Sequence, residues 1–224
     1  MKANFDFSGR TVLVTGGTSG IGAATAVAFQ RAGARVIACG LTEQEVTAAR
    51  AQAGFAHIDV RALDVTDRHA VDALVASLGS LDVVVNSAGL IRRDAEHDPD
   101  VFAHVIDVNL NGGMRVSAAA RPLLAKSRGS IVFIGSVMSF FGGPKQPAYS
   151  ASKGAVRNLT MSLAAAYAAD GIRVNAVAPG WVVTELSRGA RENPERNAMI
   201  MSRTDRKSTR LNSSHVSESR MPSS

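Results

Sequence analysis

Thr11-Val12-Leu13-Val14-Thr15-Gly16-Gly17-Thr18-Ser19-Gly20-Ile21-Gly22 passes from a short β-branched run into a glycine turn, and an Ala-rich stretch follows to about Ala32. The first five residues read as a buried strand and the Ala-rich stretch as a helix. Strand, glycine turn and helix make a phosphate-binding arrangement. Glycines let the backbone approach a pyrophosphate, and the N–H groups at the helix start supply donors and a favourable dipole. The spacing Gly16-x-x-x-Gly20-x-Gly22 differs from the commoner Gly-x-Gly-x-x-Gly.

The pattern then repeats. Strands are expected at Arg35 to Cys39, His57 to Leu63 and Leu81 to Val85, with helices at Thr42 to Ala53 and Asp67 to Leu78 between them. Further on come a long helix from about Pro99 to Lys126, a fifth strand at Ile131 to Ile134 and a sixth at Ile172 to Val177. Strands alternating with helices across short links imply an α/β fold, a parallel sheet doubly wound by helices on both faces. Ligands of such sheets sit at the carboxyl ends of the strands. Those ends carry the glycine loop, Gly40-Leu41, Asp64-Val65, Asn86-Ser87-Ala88-Gly89, Ser136 and Pro179-Gly180. An acid at the end of the second strand would hold an NAD ribose, and an arginine a 2′-phosphate. Gly40 and Leu41 are neither, so the cofactor is NADP or NAD, leaning to NADP.

The 224 residues, 46% hydrophobic and 20% charged, suit one globular domain with few aromatics and close helix-on-sheet packing. The single cysteine, Cys39, lies in an apolar run, which excludes a disulfide framework and a metal cluster and fits a reducing, cytoplasmic setting. The chain start has no apolar leader segment, and no apolar run is long enough to span a bilayer, so no membrane partner is expected. Net charge is +6, of which +2 falls in residues 205–224. Without a basic stripe interleaved with aromatics, nucleic acid is not expected as a partner.

Chemistry concentrates in Gln146-Pro147-Ala148-Tyr149-Ser150-Ala151-Ser152-Lys153-Gly154. Pro147 before an Ala-rich run opens a helix, which places Tyr149 and Lys153 on one face. A lone phenol titrates near 10, and a neighbouring ammonium favours the phenolate. Such a tyrosine can exchange a proton with an alcohol or carbonyl oxygen.

With these motifs in order, residues 9 to about 204 resemble the short-chain dehydrogenase/reductase family. The resemblance rests on Thr15-Gly16-x-x-x-Gly20-x-Gly22, Asp64-Val65, Asn86-Ser87-Ala88-Gly89, Asn109, Ser136, Tyr149, Lys153, and Pro179-Gly180 followed by Thr184. Ser87 departs mildly from the family's Asn-Asn-Ala-Gly. The resemblance implies a Rossmann-like three-layer α/β/α fold, and a homotetramer as the parent assembly. It implies an NAD(P)-dependent oxidoreductase interconverting a carbonyl and a secondary alcohol of a small molecule. Tyr149 would be the proton donor or acceptor, and Ser136 would hold the substrate oxygen. Lys153 would bind the nicotinamide ribose and lower the tyrosine pKa, and Asn109 would hold a relay water. Gly16, Thr18, Ser19, Gly20, Ile21, Gly22, Gly40, Leu41, Asp64, Val65, Asn86, Ala88, Gly89, Pro179, Gly180, Val182 and Thr184 would line the dinucleotide, with Tyr149 and Lys153.

For the substrate, Leu90-Ile91-Arg92-Arg93-Asp94 and Ser139-Phe140-Phe141-Gly142-Gly143 look similar to the sugar-acid branch of the family, acting on sugar acids or polyols. Arg92 and Arg93 either attract a carboxylate or form a solvated loop. A 3-oxoacyl-acyl-carrier-protein reductase is the alternative enzyme, and a truncated, non-catalytic dinucleotide-binding fragment the alternative outside catalysis. The family would continue past Thr204 with a helix and a seventh strand, and neither is present. Asp205 to His215 and Ser219 to Ser224 instead read like translated sequencing adapter, so residues 205–224 are expected to be a non-native, disordered tail, leaving 1–204 as the domain.

Overall fold

A computed structural model describes residues 5–202, so the adapter-like segment lies outside the described residues. The chain divides into two units, up to Leu186 and from Ser187 onward. In the first, six strands form one parallel sheet in the order β3-β2-β1-β4-β5-β6. They are β1 Thr11–Thr15, β2 Arg35–Gly40, β3 Asp59–Ala62, β4 Val83–Asn86, β5 Ser130–Ile134 and β6 Arg173–Val177. The helices are α1 Gly20–Arg31, α2 Glu43–Arg50, α3 Arg68–Ala76, α4 Pro99–Ile106, α5 Gly113–Ser127 and α6 Pro147–Ala166. The second unit holds α7 Arg188–Arg191 and α8 Pro194–Ser202, and within it Arg191 Nε donates to Ser187 Oγ at 3.3 Å.

Alternation along β1 divides the interior in two. Val12 and Val14 point to one face, where Val36, Ala38, Val60, Val83 and Val85 pack with Ala26 of α1 and Val46 of α2. Leu13 points to the other, among Ile37, Val84, Ile131 and Val174 and against α3, α5 and α6 through Val71, Val116, Leu124 and Val156. Cys39 belongs to that second cluster at 1% exposure, and burial pushes its thiol up to about 12.

The helix starts are set by capping side chains, which trim α2 and α3 there by one residue from the expected spans. Thr42 Oγ1 accepts from Glu45 N at 3.2 Å, Asp67 Oδ1 from Ala70 N at 3.1 Å and Asp98 Oδ1 from Val101 N at 3.1 Å, so α2, α3 and α4 each start one residue after a capping side chain. The third strand is shorter than expected, at four residues. The expected helix from Pro99 to Lys126 is continuous in direction but not in winding: Asp107–Gly112, between α4 and α5, forms a π-helical turn. Such a turn carries one extra residue and recurs at functional sites. It is held against the loop after β3, since a Cβ on Gly112 would stand 2.6 Å from Val65 Cγ2.

Leu13 has no exposed surface and touches both halves of the sheet. Leu13→Ala is expected to lower stability by about 3 kcal/mol in reversible urea denaturation.

Candidate active site

The strand order reverses between β1 and β4, and the crevice outside their carboxyl ends is where a doubly wound sheet takes its ligand. The register sets Thr15 beside Asn86. Gly16 follows at φ 60, a left-handed conformation that favours glycine, and a Cβ there would lie 2.8 Å from Ala88 Cα. The glycine loop and the Asn86-to-Gly89 loop are thus in van der Waals contact, and Ala88 N donates to Thr15 Oγ1 at 3.3 Å.

Two observations fit this crevice to a dinucleotide. Ser19 leaves the α1 N-terminus without a side-chain cap, and its first turn carries no acid, so its orphan N–H groups suit a pyrophosphate. Asn86 spends Nδ2 on Ser117 Oγ at 3.1 Å, while its buried Oδ1 has no hydrogen-bond partner among the described residues. Thr184 reaches the same loop, its methyl 3.3 Å from where a Cβ on Gly20 would stand. Asp64 binds Thr66 N at 2.8 Å and Thr66 Oγ1 at 2.7 Å, shaping the turn after β3, and Val65 is buried behind it. Pro179 O accepts from Val137 N at 3.2 Å, tying the loop after β6 to the segment that carries Ser136. Gly180 is open, and Val182 is partly exposed.

At the end of β2 the structure adds a residue that sequence reasoning missed. Glu45, from the first turn of α2, folds back so that Oε2 accepts from Leu41 N at 2.8 Å, and it lies 2.9 Å from a Cβ placed on Gly40. Its carboxylate stands at a strand end where the sequence reading weighs only Gly40 and Leu41.

The catalytic candidates meet on the β5 side. Tyr149 and Lys153 share one face of α6, with Nζ 5.7 Å from the phenol ring centroid. Ser136 follows β5, caps the turn Val137–Ser139 by accepting from Met138 N at 3.1 Å, and hydrogen-bonds the Tyr149 side chain. Ser139 links the two segments, accepting from Ser136 N at 3.2 Å and donating to Lys153 O at 2.8 Å. From the π-helical turn, Asn109 Oδ1 accepts from Leu90 N at 2.8 Å, while Nδ2 donates to Leu90 O at 2.9 Å and to Ser152 Oγ at 3.1 Å. A Cβ on Gly89 would stand 3.2 Å from Asn109 Oδ1 and 3.8 Å from Lys153 Nζ, which brings three expected positions together. Asn109 thus staples the loop after β4 to α6.

The electrostatics depart from the expectation in one respect. Burial is the leading influence on the Tyr149 phenol and raises its pKa, with Glu96 adding to the rise. The Ser136 hydrogen bond and the Arg93 cation oppose it. Lys153 Nζ donates instead to the Ile134 carbonyl at 2.7 Å, and burial lowers its own pKa to about 8. Glu96 had no motif to mark it. It is 1% exposed and its carboxylate accepts from Arg92 N at 2.7 Å and from Tyr149 N at 2.8 Å.

Residues 10–195 match the short chain dehydrogenase family, and the protein belongs to it. It is 37% identical over 220 residues to a 2-dehydro-3-deoxy-D-gluconate 5-dehydrogenase of Pseudoalteromonas atlantica, covering 91% of this chain and 84% of the relative. It is also 37% identical over 203 residues to a 3-oxoacyl-acyl-carrier-protein reductase of Thermotoga maritima, covering 85% of this chain and 81% of the relative. A crystal structure from Beutenbergia cavernae, of a protein assigned as an NAD(P)-dependent gluconate 5-dehydrogenase and holding NADP at low occupancy, superposes with a TM-score of 0.80. The two chains are 37% identical, and the match covers 90% of this chain and 84% of that one. No helix among the described residues is long and apolar enough to cross a membrane.

Two measurements test these electrostatics. Because Lys153 is lowered to about 8 from 10.5, the folded chain binds fewer protons than the unfolded chain between those values. Its contribution to stability therefore rises with pH across that window. Urea denaturation of the wild type and of Lys153→Met at pH 7 and pH 10 should show the difference between them moving in favour of the wild type. Glu45→Gln removes a carboxylate from the β2 end, and KM for NADP should fall by a few-fold relative to KM for NAD.

Proposed function

We propose that this protein interconverts a secondary alcohol and a carbonyl by hydride exchange with NADP or NAD, and that its substrate is a sugar acid. The observation that carries the reading is the meeting of Tyr149, Ser136 and Lys153 at the carboxyl end of β5, beside a crevice with the features of a dinucleotide site. A bound nicotinamide supplies the hydride acceptor or donor. The α1 N-terminus and the Gly16 to Gly22 loop would hold the pyrophosphate, with Asn86 and Gly89 lining the crevice, and Lys153 would bind the nicotinamide ribose. In the oxidative direction Tyr149, as the phenolate, takes the hydroxyl proton and Ser136 holds the same oxygen by its hydroxyl, while Lys153 Nζ, anchored on the Ile134 carbonyl, stands 5.7 Å from the phenol ring centroid. The NADP-bound gluconate-type neighbour supports the lean to NADP.

Equal identity to enzymes of two substrate classes leaves the substrate to the site. The Arg93 cation favours the phenolate of Tyr149, and a cation near the reacting phenol supports a substrate that carries a carboxylate. The acyl-carrier reading draws on Phe140 and Phe141, 60% and 65% exposed just past Ser136. A dehydrogenase assay with sugar acids, run beside a reductase assay with a 3-oxoacyl thioester, separates the two. A cytoplasmic homotetramer completes the reading, in keeping with the buried lone thiol, and equilibrium sedimentation tests the assembly.

Tyr149→Phe should lower kcat by roughly 10²- to 10⁴-fold while dinucleotide binding, followed by fluorescence, is kept. Unchanged turnover in that variant would overturn the reading.

A further inference from the structure

The segment from Arg92 to His97 is clasped to the start of α6 at several points. Asp94, itself at φ 66, donates its N–H to Lys145 O at 2.8 Å, and its carboxylate pairs with Lys145 Nζ at 3.1 Å. His97 Nε2 is 2.9 Å from the Pro144 carbonyl. These contacts are exposed. Beneath them lies one buried side chain, Glu96, which spans the two segments, with Oε1 on the Arg92 amide and Oε2 on the Tyr149 amide.

The Tyr149 amide is the third in α6, after Gln146 at the cap and Pro147 in the first position. Amides of the first turn have no partner inside their own helix, and the first bond within this one runs from Ser150 N to Gln146 O at 3.0 Å. Gln146 makes no side-chain cap. The helix that carries the reacting phenol therefore has its cap supplied from 53 residues away in sequence.

We propose, on the oxidoreductase reading above, that Glu96 is a positioning residue for Tyr149: its buried carboxylate holds the Tyr149 and Arg92 amides together and fixes the reacting phenol in register with the arginine loop. A carboxylate binds two N–H groups more strongly than a neutral acceptor does, and its negative end suits a helix N-terminus. Its charge has a second effect. The charged groups facing the phenol are Lys153 from its own helix and Arg93 and Glu96 from the loop before α4, with His97 the next titratable group along that loop. Burial chiefly keeps the phenol in its protonated form, and the Glu96 charge adds to it while the Ser136 hydrogen bond and the Arg93 cation oppose it.

Glu96→Gln keeps the size of the side chain and removes the charge. In the full chain it should lower kcat for alcohol oxidation by roughly tenfold or more, leave KM for the dinucleotide unchanged, and move the rising limb of the kcat–pH profile to lower pH. Glu96→Asp, which keeps the charge but not the reach, should leave the limb near the wild-type position while kcat falls. A readout that needs no turnover is available because the chain has only two tyrosines, Tyr149 and Tyr167. In a Tyr167→Phe background, the phenolate absorbance of Tyr149 should titrate at lower pH once Glu96→Gln is added. If the wild type oxidises no substrate, the function reading fails while this titration still tests Glu96. Should the Gln variant not fold, hydrogen exchange on the unaltered chain replaces it, with the Tyr149 amide expected to be as protected as that of Val156 inside α6. A folded Glu96→Gln chain with wild-type kcat, pH profile and phenol titration overturns the proposal, as does a Tyr149 amide that exchanges like an exposed one.

Discussion

The pairing of β1 with β4 is the constraint on which the rest of the molecule depends. The two strands are joined register to register, Thr15 beside Asn86, although two other strands and three helices separate them along the chain. Because every strand is parallel, every strand-to-helix loop leaves the sheet at its carboxyl end. Chemistry-bearing segments scattered from Gly16 to Thr184 are thereby gathered along one edge although most are far apart in sequence.

Much of this was legible in the amino-acid order. The β-branched runs gave the strands, because a strand covered on both faces must be apolar throughout. The glycine loop gave the first crossover, and Tyr149 with Lys153 gave the reacting helix face. The hidden parts are of another kind. The π-helical turn at Asp107–Gly112 has no signature in composition, since it arises where Asn109 reaches Leu90 on one side and Ser152 on the other. Glu45 is a local partner of Leu41 N that composition does not single out, and Glu96 looks like an ordinary helix-turn acid until tertiary structure brings Tyr149 N to it. Local sequence encodes periodicity and caps, while a side chain's partner across the fold is set by packing.

The site also shows where stability is given up. A lysine with 6% exposure and a tyrosine whose burial disfavours its charged form are poor choices for a core built to be stable. Both are kept in place by backbone carbonyls, serines and a buried carboxylate contributed by segments after β4 and β5. The surrounding aliphatic clusters, closely packed on both faces of the sheet, supply the free energy that this arrangement consumes.

Cys39 carries a practical corollary. It is the only sulfhydryl in the chain, it is walled into β2, and its proton is held far above neutrality, so alkylating agents and mild oxidants meet no thiolate at working pH. A cysteine placed by mutagenesis on any exposed loop would stand as the single reactive handle. Fluorophores or spin labels could then be attached at one chosen point without first stripping the natural sequence of competing thiols.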